Sequence, residues 1–395
     1  MGIVLLLIGL LLFVGLVVIH ELGHFIAARR NGVEVEEFGI GFPPRAWKKR
    51  IKSDKGDYDF TLNWLPLGGF VKLKGENDDA DAPGTFGAAS LSAKVKIMVA
   101  GVVMNLLAAF VLFTGVAWIG MPQLPEVAIG EPQFTVTDDE RLVSDVRNEG
   151  LVIVGEVIEG SPADQAGIQP DDELVSIDDE DIDNPLIVRE LTADRAEEEV
   201  LVVVRSDSDE PRELQVTLSS EEDAEEKGYL GVVPFSGQEG FRSVRYTWSA
   251  PIVAAGTIGQ FTKLTFQGLG NALAGFGQYL ASFVTGNEVS RAEGGAQATE
   301  QVTGPVGIFF TLFVVSQEGI GILLFVIALI SLALAIMNIL PIPALDGGRL
   351  FVTLLFRVLR RPLTKSIEER IHATGFLLLM GLFILITIVD VRRFF

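Results

Sequence analysis

The sequence predicts a polytopic α-helical membrane protein with a soluble α/β domain inserted between its spans. Two observations carry this. Long apolar runs sit at both ends of the 395-residue chain, and the middle is strongly acidic. The chain as a whole is 49% hydrophobic, with a mean hydropathy of +0.40 that is high for a water-soluble protein. There are no cysteines, which excludes disulfides, cysteine-based metal sites and a thiol nucleophile. A formal charge of −21 argues against nucleic acid as a partner.

A helix crosses a bilayer in about 20 mostly apolar residues. Four stretches qualify: 1–28, 97–119, 320–340 and 371–389. The first resembles a secretion signal only superficially. It lacks a basic start and a small-residue cleavage pattern, its apolar run is too long, and it carries His20 and Glu21. Residues 307–315 are apolar but too short to span, so they are expected to dip in or to pack beside the third span. Residues 247–284 read as interfacial helices, and 286–303 as a polar, glycine-rich linker. The expected division is a membrane part at 1–125, an inserted domain at 126–236, interfacial helices and linker at 237–304, and a second membrane part at 305–395.

Basic residues in loops set orientation. Arg29, Arg30, Arg45, Lys48, Lys49, Arg50 and Lys52 follow the first span, and Arg357, Arg360, Arg361 and Lys365 follow the third. Both loops are expected to be cytoplasmic and the acidic insert outside. Four spans then place both termini outside, which Arg392 and Arg393 oppose.

His20-Glu21-Leu22-Gly23-His24 is an H-E-x-x-H pattern on the first predicted helix. Histidines at i and i+4 share a face and can ligate one metal, with the glutamate placed to take a proton from water. Alone, five residues of this kind recur by chance. Ionisable groups at membrane depth cost about 2.5–3.5 kcal/mol each on insertion scales, so they are seldom there without a partner or a role. A catalytic zinc needs a third protein ligand. The remaining histidine, His372, is expected at the start of the last span, facing the interface. A carboxylate is the better candidate, and Asp346 follows the broken stretch Pro341-Ile342-Pro343 and precedes Gly347-Gly348. The plain alternative is a helix stop, with Asp346 as the N-cap of the next helix. His20 and Asp346 each lie at the cytoplasmic end of a span, so they can meet at one depth.

These motifs together resemble the site-2 protease family of intramembrane zinc metalloproteases, in the type that carries a PDZ domain outside the cytoplasm. The likeness covers most of the chain. His20–His24 matches the first-span motif, and Leu345-Asp346-Gly347 the second metal motif. Gly101-Val102-Val103-Met104-Asn105 matches a G-x-x-x-N segment. Pro66-Leu67-Gly68-Gly69-Phe70 and Gly304-Pro305-Val306-Gly307-Ile308 match two further segments. The resemblance implies one catalytic zinc held by His20, His24 and Asp346, with Glu21 as the catalytic base. It implies substrate contact for Asn338, Gly68, Gly69 and Phe70. Asn105 is grouped with these, although beside Gly101 it also reads as helix packing or as a hydrogen bond that steadies the site. Residues 59–73 alternate like a strand and break at Pro66 and Gly68-Gly69. An exposed edge there would hold an unwound substrate by strand addition. The implied substrates are single-span membrane proteins, regulators first shortened by another protease.

The insert has β-branched runs at 152–157, 173–177 and 201–204, and a turn into a short helix at Gly160–Ile168 ended by Gly167. With Asp171–Ile177 it resembles a PDZ core, which implies capture of a peptide C-terminus or steric exclusion of bulky proteins. Tyr229-Leu230-Gly231-Val232 is a candidate for the carboxylate loop in a permuted order. The acidity reads as a solvated surface, or as that of a halophilic prokaryote whose salt screens it. Localisation in the plasma membrane is expected, with the lipid bilayer itself as a partner. Two readings compete with a protease. One is a catalytically inactive membrane PDZ receptor, which would normally have lost a ligand or the base. The other is a metal transporter, which would need polar residues through several spans.

Overall fold

The computed structural model describes residues 2–76, 81–124, 129–144, 151–158, 160–178, 180–182, 185–193, 195–206, 211–220, 224, 228–236, 243–285 and 304–394. They form two units, Met1–Val143 with Ser243–Phe395, and Ser144–Arg242.

Helix α1 (Gly2–Arg30) follows the first apolar run. It stops at Asn31-Gly32, where Gly32 takes φ +76°, and carries Arg29 and Arg30 in its last turn, where cations suit the helix dipole. Strands β1 (Val35–Ile51) and β2 (Tyr58–Leu73) are antiparallel, and each folds back once. The bends fall near Gly41 (φ +79°) and Gly68 (φ +121°), left-handed conformations that glycine adopts without strain. Phe38 therefore pairs with both Val71 and Phe60, and Lys48 pairs with Thr61. The two strands make a ribbon of four segments in the order 69–73, 35–40, 58–63, 45–51, and segment 69–73 is an edge.

Helix α2 (Leu91–Ile119) opens with Ser90, whose hydroxyl accepts from the Ala93 amide, and ends at Gly120. Next come β3 (Met121–Pro122) and β4 (Arg141–Ser144). The second unit then contributes β5 (Val152–Val157), α3 (Pro162–Ala166), β6 (Glu173–Ile177), β7 (Glu180–Asp181), α4 (Pro185–Ala193), β8 (Glu199–Arg205), β9 (Arg212–Thr217) and β10 (Val232–Ser236). The chain returns through β11 (Ser243–Arg245), which joins β3 and β4 in a small sheet. It continues as α5 (Ala250–Thr285), α6 (Pro305–Glu318), α7 (Ile320–Ile339), α8 (Asp346–Val358) and α9 (Lys365–Phe394).

Among the described residues, four helices, α1, α2, α7 and α9, are long and apolar enough to cross a membrane. They coincide with the four runs read from sequence, and α2 and α9 start one or two polar turns earlier. Residues 305–318 form α6, whose Leu312 packs with Leu5 and Leu16 of α1 and Leu323 of α7. The interfacial helices expected at 247–284 are a single 36-residue helix, α5. Its Ala250, Val253 and Ala254 are buried against Phe113 and Val116 of α2 and Phe325 of α7, and this packing anchors its first turns. Further along, α5 exposes Leu273 and Phe276. The linker read at 286–303 lies outside the described residues.

The second unit is an antiparallel sheet in the order β10-β5-β6-β8-β9, with β7 beside β6. Val152 with Val154 and Val202 with Val204 alternate inward, and Leu174 and Ile177, on either side of a register shift in β6, complete the core. Helix α3 begins at Ser161, which caps the Asp164 amide, and ends at Gly167 (φ +80°).

Candidate metal centre

Gly23 lets α1 approach α2 closely. A Cβ there would lie 2.5 Å from the Ala100 carbonyl oxygen, so only glycine fits without displacing α2. His20, about one turn before this contact, and His24, directly after it, face the same way. Their rings meet edge to face, with centroids 4.8 Å apart. Gly101 of α2 sits under both rings. A Cβ on it would lie 2.4 Å from His24 Nε2 and 2.5 Å from His20 Cε1.

Asp346 arrives from the other half of the chain. Helix α7 ends at Leu340, and Pro341 and Pro343 keep the chain from continuing as helix. After Ala344 (φ +79°) and Leu345, α8 begins at Asp346 itself. Its N-cap is Leu345, without a side-chain cap bond, so Asp346 is not a capping residue. Gly347 and Gly348 press the start of α8 onto the end of α7. A Cβ on them would lie 2.2 Å from the Ile339 oxygen and 1.9 Å from the Ile342 oxygen.

Three atoms converge as a result. His20 Nε2 is 3.0 Å from Asp346 Oδ2, His24 Nε2 is 3.1 Å from the same oxygen, and the two Nε2 atoms are 3.1 Å apart. Ligands about 2.0–2.1 Å from a tetrahedral zinc lie roughly 3.3 Å from one another, so this triangle has the dimensions of one face of such a site. The hydrogen bonding around it points the same way. His24 Nδ1 donates to the Ile97 carbonyl at 2.8 Å, which leaves the Nε2 lone pair free. Asp346 Oδ2 is buried and receives no well-formed hydrogen bond. Two imidazole nitrogens and a carboxylate oxygen held this close form a donor set that a divalent cation would fit.

Glu21 lies beside the triad. The Val71 backbone of the β-ribbon edge lies against its carboxylate, and a Cβ on Gly69 would stand 3.4 Å from Glu21 Cγ. A polar cavity of about 120 Å³ is lined by Glu21, His24, Asp346, Glu76 and Arg349. Among the described residues, His20, His24 and Asp346 are the cluster able to hold a metal.

Residues 8–382 match peptidase family M50. The chain belongs to that family. A protein of Clostridium perfringens, provisionally named a zinc metalloprotease, is 30% identical over 383 residues, covering 97% of each chain. The zinc metalloprotease RasP of Geobacillus kaustophilus is 26% identical over 449 residues, covering 98% of this chain and 97% of its own. A provisionally named zinc metalloprotease of Nostoc is 27% identical, covering 96% and 93%. The family comprises the membrane-embedded, zinc-dependent site-2 proteases, and this chain is a zinc metalloprotease.

The remaining residues singled out in the sequence of this M50 protease occupy four places. Gly68, Gly69 and Phe70 lie at the bend and edge of the β-ribbon, next to α1. Phe70 packs over Gly39, whose added Cβ would meet its ring at 2.4 Å. Asn105 is 1% exposed, with its amide against His20. Asn338 is half-buried in the last turn of α7 and makes none of the triad's contacts. His372 stays apart from the triad, its Nδ1 accepting from the Ala344 amide at 3.3 Å. Sequence reasoning missed the Ile97 carbonyl, the Val71 backbone and Ser331, whose hydroxyl donates to the Asn105 carbonyl at 2.8 Å. A backbone group leaves no residue signature, and a lone serine in an apolar helix is an ordinary feature.

Proposed function

We propose that this M50 protease cleaves peptide bonds inside the membrane segments of other proteins, using His20, His24 and Asp346 as zinc ligands and Glu21 as the base. The observation that carries this reading is the placement of all four groups on, or at the broken end of, helices apolar enough to span, beside the edge of a β-ribbon. Zinc held there supplies the Lewis acidity that makes water a nucleophile near neutral pH. Glu21 would take a proton from a water beside the three ligands and pass it to the leaving amine. The Ile97 carbonyl holds the His24 ring in the ligating tautomer.

A transmembrane helix has its amides already paired, so it must unwind before it can be cut. The free edge at 69–73 offers backbone groups to an extended segment, a few ångströms from Glu21. Phe70, Gly68 and Gly69 shape that edge, and Asn338 lies near the broken end of α7. Substrates on this reading are single-span regulatory proteins, and the basic ends of α1 and α8 face the cytoplasm. The unit Ser144–Arg242 serves as a PDZ-like module outside the cytoplasm. Its edge strand β10 and helix α4 flank a groove of about 420 Å³, with Tyr229, Leu230 and Gly231 at one end. A peptide C-terminus added to β10 as a strand suits that groove.

Mass spectrometry of the products from a model single-span substrate tests this. New termini within the apolar segment support the reading. Cuts confined to the flanking soluble sequence contradict it.

A further inference from the structure

Helix α2 turns three positions, one turn apart, toward the two imidazoles: Ile97, Gly101 and Asn105. The Ile97 carbonyl takes the Nδ1 proton of His24. Gly101 provides the space for both rings. Asn105 faces His20, with its amide nitrogen 3.3 Å from His20 Nδ1 and its amide oxygen buried without a partner. Ser331 of α7, itself fully buried, donates to the Asn105 backbone carbonyl and ties this turn of α2 to a third helix.

A histidine that binds a metal through Nε2 keeps its proton on Nδ1, and that proton needs an acceptor. An amide nitrogen turned to Nδ1 donates instead. It would put the His20 proton on Nε2, pointing at Asp346. A half-turn about the Asn105 Cβ–Cγ bond exchanges the two ends of the amide with almost no change in shape. The oxygen then accepts from His20 Nδ1–H and gains the partner it lacks.

We propose that, with zinc bound, Asn105 presents Oδ1 to His20 Nδ1–H and is the positioning residue that sets the His20 tautomer for ligation. One face of α2 thus orients both histidines, His24 through a backbone carbonyl and His20 through a side chain. This rests on the assignment of His20, His24 and Asp346 as ligands. It makes Asn105 part of the metal site's support and removes it from the substrate surface.

Zinc affinity of the purified full-length protein in detergent, measured by competition with a chelator, is the test. Asn105→Leu keeps the volume and removes the acceptor, and zinc binding is expected to weaken about 10–100-fold. Asn105→Asp supplies only acceptors and is expected to bind as tightly as wild type or tighter. Wild-type affinity in Asn105→Leu would reduce the residue to packing and overturn the proposal. Equally weak binding in Asn105→Asp would mean that the amide must donate, with the same consequence. If Asn105→Leu does not fold, Asn105→Asp decides alone against wild type. His20→Ala and Asp346→Ala separate the two levels. Loss of zinc in both upholds the ligand assignment whatever Asn105 does, and retention in either removes that assignment and this proposal together.

Discussion

Gly101 shows how a residue without chemistry shapes a candidate metal site. Its missing Cβ is the space in which two imidazoles meet, and an added methyl would overlap both rings at 2.4–2.5 Å. Overpacking of this kind costs about 1–3 kcal/mol. Gly101→Ala is therefore expected to lower zinc affinity about tenfold or more, read by chelator competition. Gly115→Ala, on the same helix with nothing within 4 Å of its added Cβ, is expected to bind zinc as wild type. Much of the site was legible in the sequence because its residues are scarce. The chain has three histidines, and two of them share a helix face with a glutamate between them. Asp346 was legible because two prolines and two glycines bracket it. The meaning of Gly101 was not, since a glycine in an apolar helix looks like packing until the histidines of another helix are laid over it.

At the scale of elements, the metal triangle depends on where α8 begins. Gly347 and Gly348 abut backbone oxygens of α7 and the proline turn, which cannot move aside as a flexible side chain can. Gly348→Ala is expected to lose zinc while the helix content by circular dichroism stays unchanged, and unaltered zinc content would contradict this. The segment before α5 has its own anchor in Asp139, a buried carboxylate. Burial raises its pKa, but hydrogen bonds from the hydroxyls and amides of Thr247 and Ser249 outweigh that and hold it well below the usual carboxylate range. A depressed pKa stabilises the fold above the unfolded value, about 3.9, and that contribution is lost as pH falls through the folded value. Asp139→Asn is expected to lower Tm at pH 7, with the gap to wild type narrowing below about pH 4. A gap that does not change with pH would refute the charged form as its source. The spans were readable from apolar run length alone, and the double fold of the β-ribbon was not. Its pairing of Phe38 with two distant segments is a non-local choice, signalled locally only by Gly41 and Gly68.

Across the whole molecule, charge and hydrophobicity are segregated between the two units. Residues 144–242 hold 28 of the 52 acidic and 7 of the 31 basic residues, so this unit carries the entire net charge of −21. A small domain that acidic repels itself, and salt near 1 M shortens the screening length to about 3 Å. The excised unit 144–242 is expected to melt at a clearly higher temperature in molar salt than at low ionic strength. Equal melting temperatures would remove the case for a saline habitat. The rest of the chain is electrically balanced, and the residues proposed to bind zinc and move protons come from both ends of the chain, with the acidic unit between them in sequence. On the proposed reading these groups act together, with Glu21 as the base beside a zinc that it does not ligate. The most direct test compares wild type and Glu21→Gln, purified in detergent, for zinc content and for cleavage of a single-span substrate. Equal zinc in both, with cleavage by Glu21→Gln reduced at least about 10²–10⁴-fold, is the expected result. A Glu21→Gln protein that still cuts at the wild-type rate, or that has lost its zinc, would contradict the account.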